Sequence, residues 1–442
     1  MHRSLSDYIS LLEREGELVR IAAPVSPMEE IAEITDRVSK TPGGGKALLF
    51  ENTGTEFPVL TNMFGSARRM ALALGVGSLG ELSERVDGLL RQAMAPRPSF
   101  ADKLRALPLL AGMSRWFPRT VSGRGECQQV VRTGAEASLA ALPILKCWPA
   151  DGGRFVTLPM VNTVDPQTGV RNVGMYRMQL FDDRTTGMHW HIHKTGARHY
   201  DAWKRSGRRM PVSVALGGDP AYTYAATAPM PDNMDEYLLA GFLRRRPVKL
   251  VKCVTNDIYV HVTALTRRRD AVYPATVVGI PPQEDACIAQ ATERIFLAPI
   301  RMALQPEVRD MTMPEAGTAH NIAVVSIDSR YAGREGRPGA VGRRADDVQQ
   351  IHVRRPGRDR RARYGCIGAA RAQPRPAARH SPQRGDSRCP RPRDGNAGLR
   401  RKNCIECYGP RCRGRVRESA GACNACACRS PTGCRGRASR SG

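Results

Sequence analysis

Along residues 1–95 the apolar positions follow a helical period and a strand period in turn. Leu5, Tyr8, Ile9 and Leu12 stand at i, i+3, i+4 and i+7 behind Ser4-x-x-Asp7, and Gly16 follows as a stop, so the chain is expected to open with a capped amphipathic helix. "ELVRI" then reads as a strand, "MEEIAEITDRVS" as a helix, "KALLFEN" and "PVLTNMF" as strands. A helix after Ser66 and a longer one near Leu79–Met94 complete an α/β layer. Residues 95–150, rich in Pro and small residues, read as a connection into a second domain.

From residue 155 the period becomes two: "FVTLPMVNTV", the turn "DPQTG", "VRNVGMYRMQLF", the turn "DDRTTG", then "MHWHIH". This is the pattern of an antiparallel meander, found in sandwiches and barrels. "PVSVALGG" adds a strand, and "DNMDEYLLAGFLRR" a helix with an N-terminal cap.

Composition changes this picture at one point. The net charge of +26 would suggest nucleic acid or an anionic membrane as partner if it were spread over folded surface. Residues 331–442, however, hold 28 Lys+Arg against 8 Asp+Glu and only 11 of Ile, Leu, Val, Met, Phe, Trp and Tyr, too few to offset chain entropy. The body is nearly balanced, and residues 332–442 are expected to be disordered.

Nine of the 13 cysteines lie in this tail. Cys404/Cys407 and Cys423/Cys426 are two Cys-x-x-Cys pairs 15 residues apart, a spacing compatible with a four-thiolate zinc site, but Ile405, Tyr408 and Val416 are too few large apolar residues around them to pack a zinc ribbon. Chance pairing in a Gly/Arg/Ala/Cys-rich tail accounts for them as well, and non-specific binding of nucleic acid by such a tail stays open beside it. The N-terminus has no apolar core of a signal peptide and no apolar run is long enough to span a bilayer, so a reducing cytoplasm is the expected compartment.

Candidate chemistry gathers in the hairpin across "DDRTTG", which would bring Asn172, Tyr176, Arg177, His189, Trp190, His191 and His193 together. Alternation puts His189, His191 and His193 on one face, either a transition-metal cluster or a solvated face with Trp190 on the core side. "TPGGGK" at 41–46 is not a phosphate loop, because Lys46 leads into a strand and not into a helix.

The strings "NVGMYRMQLFDDRTTGMHWHIHKTGARHY", "VALGGDPAYTYAATAPMPDNMDEYLLAGFLR", "VYPATVVGIPPQEDACIAQATERIFLAPI" and "HNIAVVSID" resemble the UbiD family of decarboxylases, over essentially all of residues 1–331. The resemblance implies an α+β protein: an N-terminal α/β domain (1–120), then a split β-barrel, flavin-reductase-like domain (121–331) that holds prenylated FMN. It implies divalent metal ligation by Asn172 and Glu236, usually of manganese, with potassium as a further ion. Met175, Tyr176, Arg177, His189, Trp190, His191, Lys194 and Thr195 match the segment that holds the flavin, and Arg177 matches the catalytic arginine, whose planar fork suits a carboxylate. Read without the family, Arg177 could be a salt-bridged strand residue, and Glu236 could form a capping box with Asn233. A third metal ligand, a histidine in some relatives, falls on Met188 in an ungapped alignment.

The implied activity is non-oxidative decarboxylation of an aromatic or α,β-unsaturated acid, of the kind found among quinone precursors such as polyprenyl-hydroxybenzoates. The implied partners are that acid, a flavin prenyltransferase as cofactor supplier, and further copies of the chain; no specific nucleic acid is expected. Two departures stand against the family pattern. "VKLVKCVTNDIYV" runs directly into "HVTALTRRRDAVYPATVV" at Val260–His261, where relatives carry tens of residues that include the acidic proton donor, and the loop Gly-Pro-x-Gly-Asp-His-Thr-Gly occurs nowhere in this chain. After Tyr331 periodicity, apolar content and charge balance are lost together, as an out-of-frame reading of GC-rich DNA would produce. A chain lacking its proton donor and C-terminal domain is expected to be inactive, poorly soluble and disturbed in oligomerisation. It could also be a non-catalytic flavin-binding remnant.

Overall fold

The computed structural model describes residues 3–96, 99–254, 262–318 and 321–328, and two strands at 351–354 and 364–367. These fall in one compact unit, Met1–Ala372. The Val260–His261 junction and both Cys-x-x-Cys pairs lie outside the described residues.

The first helix, α1 (Leu5–Arg14), forms as its pattern requires: the Ser4 hydroxyl caps it by accepting from Asp7 N, and Leu5, Tyr8, Ile9 and Leu12 are buried. β1 (Leu18–Pro24), α2 (Glu30–Ser39), β2 (Ala47–Asn52) and β3 (Val59–Thr61) follow, then α3 (Ala67–Leu74) capped by Ser66 and α4 (Leu79–Met94) capped by Ser78. Strand order in this sheet is β1-β2-β3-β14, where β14 (Tyr273–Pro274) arrives from late in the chain and pairs in parallel with β3.

Between these layers runs a buried polar network. The Arg69 guanidinium is fully buried and donates to Glu17, to the carbonyls of Gly44 and Gly45, and to Asn62 O. The glycine loop at 43–45 thus offers carbonyls inward to an arginine, the reverse of the N–H cradle a phosphate needs. The connection 95–150 holds a helix that the sequence reading lacks, α5 (Phe100–Ser114), with a Ser99/Asp102 capping box and Pro108 inside it.

Beyond it come β4 (Arg119–Thr120), β5 (Val130–Thr133), β6 (Phe155–Val156), β7 (Met160–Val164), β8 (Arg171–Met175), β9 (Met178–Leu180), β10 (Thr186–Met188) and α6 (Thr195–Arg205). The chain continues through β11 (Ser213–Ala215), α7 (Pro220–Ala225), α8 (Glu236–Arg244), β12 (Lys249–Leu250) and β13 (Ala264–Arg267). The expected meander is there, but divided. β7 is flanked by β8 and β11 in one sheet, β9 by β6 and β10 in another, and β12·β4 and β13·β5 stand as two-stranded pairs. The fold is mixed α+β, and no closed barrel exists among the described residues. The single strand expected across 170–181 breaks at Tyr176–Arg177, because its two halves pair with different neighbours.

After β14, α9 (Glu284–Pro299) packs on α3 and α4, and β15 (Val308–Thr312) and β16 (Ala323–Ile327) form a hairpin. Two strands extend it within the stretch read as lacking any period: β17 (Ile351–Arg354), parallel to β16, and β18 (Tyr364–Ile367). "IHVR" alternates β-branched with polar residues, a four-residue signal too short to stand out in an Arg-rich tail. No helix of the described residues is long and apolar enough to cross a membrane.

Glu284, the first residue of α9, is fully buried and accepts from Phe64 N (3.0 Å); burial, the largest effect on it, pushes its carboxyl above the ordinary glutamate value. A raised folded-state value means stability that is complete below the unfolded value near 4.5 and lost as pH rises through the shifted one. Glu284→Gln is therefore expected to gain relative to the parent between pH 5 and pH 8 in urea midpoints, and a pH-independent difference would refute this.

Candidate active site

The site is built where β8 meets the start of α8. Asn172 on β8 is buried, and its Nδ2 donates to Thr163 Oγ1 (3.4 Å) on β7 and to the Tyr176 hydroxyl (3.3 Å). Glu236 opens α8, and its Oε2 accepts from the backbone N–H of Val173 (2.7 Å). The cap of α8 is Asp235, accepting from Tyr237 N, and not Asn233, so a capping box does not account for Glu236. Burial, with the neighbouring Asp235 adding to it, pushes the Glu236 carboxyl up to about 7, although Val173 N–H opposes the shift. A carboxyl held this far up is one that a cation would restore to its charged form.

Asn172 and Glu236 line a cleft of about 180 Å³ with Asp165, Arg171, Thr195, Arg198 and His199. That volume is below the roughly 300–1,000 Å³ of an organic-ligand pocket, and suits an ion with a phosphate group rather than a flavin ring system. Thr195 and Lys194 lie at the N-terminus of α6, where Lys194 occupies the cap position without a side-chain cap bond. Arg198 reaches Thr195 Oγ1 (3.0 Å) and pairs with Asp232. Backbone dipole and cations at this helix start suit an anion.

Tyr176 folds its ring back over Gly174, where any Cβ would come within 2.3 Å of the ring; only glycine admits this approach. Its hydroxyl accepts from Gly196 N (3.2 Å), tying β8 to α6. Trp190 packs edge-on against Tyr176 (6.1 Å) and beside Tyr200 (5.6 Å), and its buried indole N–H has no hydrogen-bond partner. An orphaned buried donor at this place is what a bound cofactor atom would satisfy. Met175 is half-buried, its N–H donating to Ala226 O (2.9 Å).

Arg177 stands apart from the cleft. Its guanidinium lies 3.6 Å over the Phe155 ring and its Nη2 is 3.5 Å from Asp151 Oδ1, with nearly half of the side chain exposed. His189 touches the same ring edge-on (5.7 Å). The expected histidine face does not form. β10 ends at Met188, and His189, His191 and His193 lie in the turn leading to α6, where strand alternation no longer applies. Among the described residues no group of three His, Cys, Asp or Glu could hold a metal ion; an Asn–Glu pair is a different donor set, of hard oxygens. Sequence reasoning missed Thr163 and His199, which meet Asn172 only through folding, and Asp151 and Phe155, which hold Arg177.

A mixed α+β fold that converges a buried amide and a buried carboxyl on one small cleft defines an enzyme-like site, and the comparisons with known proteins put it among the carboxy-lyases. The chain belongs to the UbiD family: the N-terminal, Rift-related and C-terminal domains of 3-octaprenyl-4-hydroxybenzoate carboxy-lyase match residues 9–87, 119–264 and 286–340. An uncharacterized protein of Aquifex aeolicus is 44% identical over 373 residues, 75% of this chain and 76% of the relative, and one of Archaeoglobus fulgidus is 43% identical over 375 residues, with the same coverage. The fold is shared with an evolved dimeric form of the UbiD-class enzyme HmfF from Pelotomaculum thermopropionicum in complex with prFMN (24% identity, TM-score 0.61, 75% of this chain and 80% of that one). It is shared also with the vanillic acid decarboxylase of Sedimentibacter hydroxybenzoicus in closed form (21%, TM-score 0.64, 75% and 76%).

Proposed function

We propose that this chain descends from a prenylated-FMN decarboxylase of an aromatic or α,β-unsaturated acid, and that as it stands it binds cofactor without turning over. What carries the reading is the convergence of Asn172 and Glu236 on the cleft. The donor set, an amide oxygen and a carboxylate, is one of hard oxygens and fits a divalent ion such as manganese. Asn172 and Glu236 would hold the ion, and Lys194, Thr195 and the start of α6 a phosphate beside it. Tyr176 and Trp190 would bound the cofactor, with the indole N–H as donor. When bound, the modified flavin supplies an electron sink for the departing carboxylate's electrons. Arg177 orients that carboxylate, since stacking on Phe155 covers one face of the guanidinium and leaves its N–H edge available.

Return of a proton to the substrate carbon is the step without a residue. The tens of positions that carry the acid in the family have no counterpart at Val260–His261. In keeping with this, the 373 positions aligned with the Aquifex protein take up only 75% of this 442-residue chain, so the relative fills positions that this chain lacks. Division near residue 120 into an N-terminal and a flavin-binding domain, and assembly into oligomers, belong to the same proposal. Asn172→Ala and Glu236→Ala are each expected to weaken Mn2+ uptake by the purified chain at least tenfold, read from the electron paramagnetic resonance of free Mn2+. Unchanged uptake in both variants would refute the site.

A further inference from the structure

An amide at a metal site must present its oxygen, and nothing in the shape of an Asn side chain decides which end faces the cleft. Here the decision can be traced outward through four groups. Asn172 Nδ2 donates to two hydroxyl oxygens, Tyr176 (3.3 Å) and Thr163 (3.4 Å). The Tyr176 oxygen also accepts from Gly196 N (3.2 Å), so it is met by donors from two sides. Thr163 Oγ1 lies 3.0 Å from Nδ1 of His199, and both residues are buried, at 1% and 6% exposure, so water does not offer alternatives.

The hydroxyl of Thr163 has one proton. If His199 Nδ1 is bare, that proton goes to His199, and Thr163 can only accept from Asn172; the NH2 end is then held inward and Oδ1 is left for the cleft. If His199 carried its proton on Nδ1, Thr163 would accept from the ring and give its own proton to Asn172, which would draw Oδ1 inward and turn the NH2 group to the cleft, where it repels a cation. We infer that Thr163 and His199 are positioning residues that set the direction of the Asn172 amide, through a hydrogen-bond chain that ends on His199 as its Nε2–H tautomer. This deepens the reading of Asn172 as a cation ligand and rests on it, and it concerns Thr163 on β7 and His199 on α6 rather than the Asn172–Glu236 pair itself.

Two measurements test it, and only the second depends on the cation. In the full chain labelled with 15N-histidine, the His199 signal, identified by its loss in His199→Gln, is expected to show a protonated Nε2 and a bare Nδ1. A protonated Nδ1 overturns the inference whether or not the chain takes up metal. In Mn2+ titrations, Thr163→Val is expected to lose about tenfold or more in affinity and Thr163→Ser to stay near the parent, the magnitude typical of residues that orient a metal ligand. Equal affinity in Thr163→Val and the parent also overturns it. A parent chain that takes up no Mn2+ would refute the cation site itself, and the tautomer then decides the amide's direction alone.

Discussion

Supplied with prenylated FMN and Mn2+, the purified chain is expected to keep the flavin's colour and to release no carbon dioxide from cinnamic- or hydroxybenzoic-type acids. A positioned acid typically contributes roughly 10²- to 10⁴-fold to a proton-transfer step, and on the proposed reading the chain lacks the stretch that supplies this group in the family. Asp151 is the acid paired with Arg177, but it is engaged in holding the guanidinium over Phe155 and accepting from Trp148 N (3.2 Å). The retained colour matters to the outcome: a colourless, inactive preparation would indicate a lost cofactor site instead of a lost acid. Cofactor-dependent release of carbon dioxide by the chain as it stands would refute the proposal of inactivity outright.

The largest stability effect is expected at Asp219. Its carboxylate and the Arg244 guanidinium are both fully buried, Arg246 joins them at 3.1 Å, and Asp219 also accepts from Ala221 N at the start of α7. Removing one partner of a buried pair leaves the other as an uncompensated charge, a loss of about 3–5 kcal/mol. Asp219→Ala should therefore lower the urea midpoint severely or abolish soluble expression. The pair Asp219→Leu with Arg244→Met should recover part of the loss, because two apolar residues leave less charge stranded. A shift below about 1 kcal/mol for Asp219→Ala would mean that water reaches this cluster.

The local signals were legible in the sequence and the relational ones were not. Ser4, Ser66 and Ser78 cap the helices they stand before, because a cap is decided within four residues of chain. α5 escaped although Ser99 and Asp102 form a capping box, since Pro96, Pro98 and Pro108 and the small residues around them outweighed it. The break at Tyr176–Arg177 carries no local mark, for it follows from β8 and β9 choosing different partners. The same break, with the end of β10 at Met188, dissolved the expected histidine face. At the site itself Asn172 and Glu236 could be carried over from the family, whereas Thr163 and His199, 36 residues apart, gain meaning only once β7 and α6 lie side by side.

The pairing of Tyr273 with Val59 sets a timetable for synthesis. While the chain is being made, β1, β2 and β3 can assemble early, but the outer edge of β3 stays open until residue 274 has left the ribosome. At roughly 5–20 residues per second that is on the order of ten to forty seconds. An unpaired edge of Val59, Leu60 and Thr61, all fully buried in the finished fold, is in that interval a template for any other nascent strand. Yield of this protein in a cell should thus depend on how the growing chain is shielded during translation, and a fragment that stops before β14 would carry the open edge permanently.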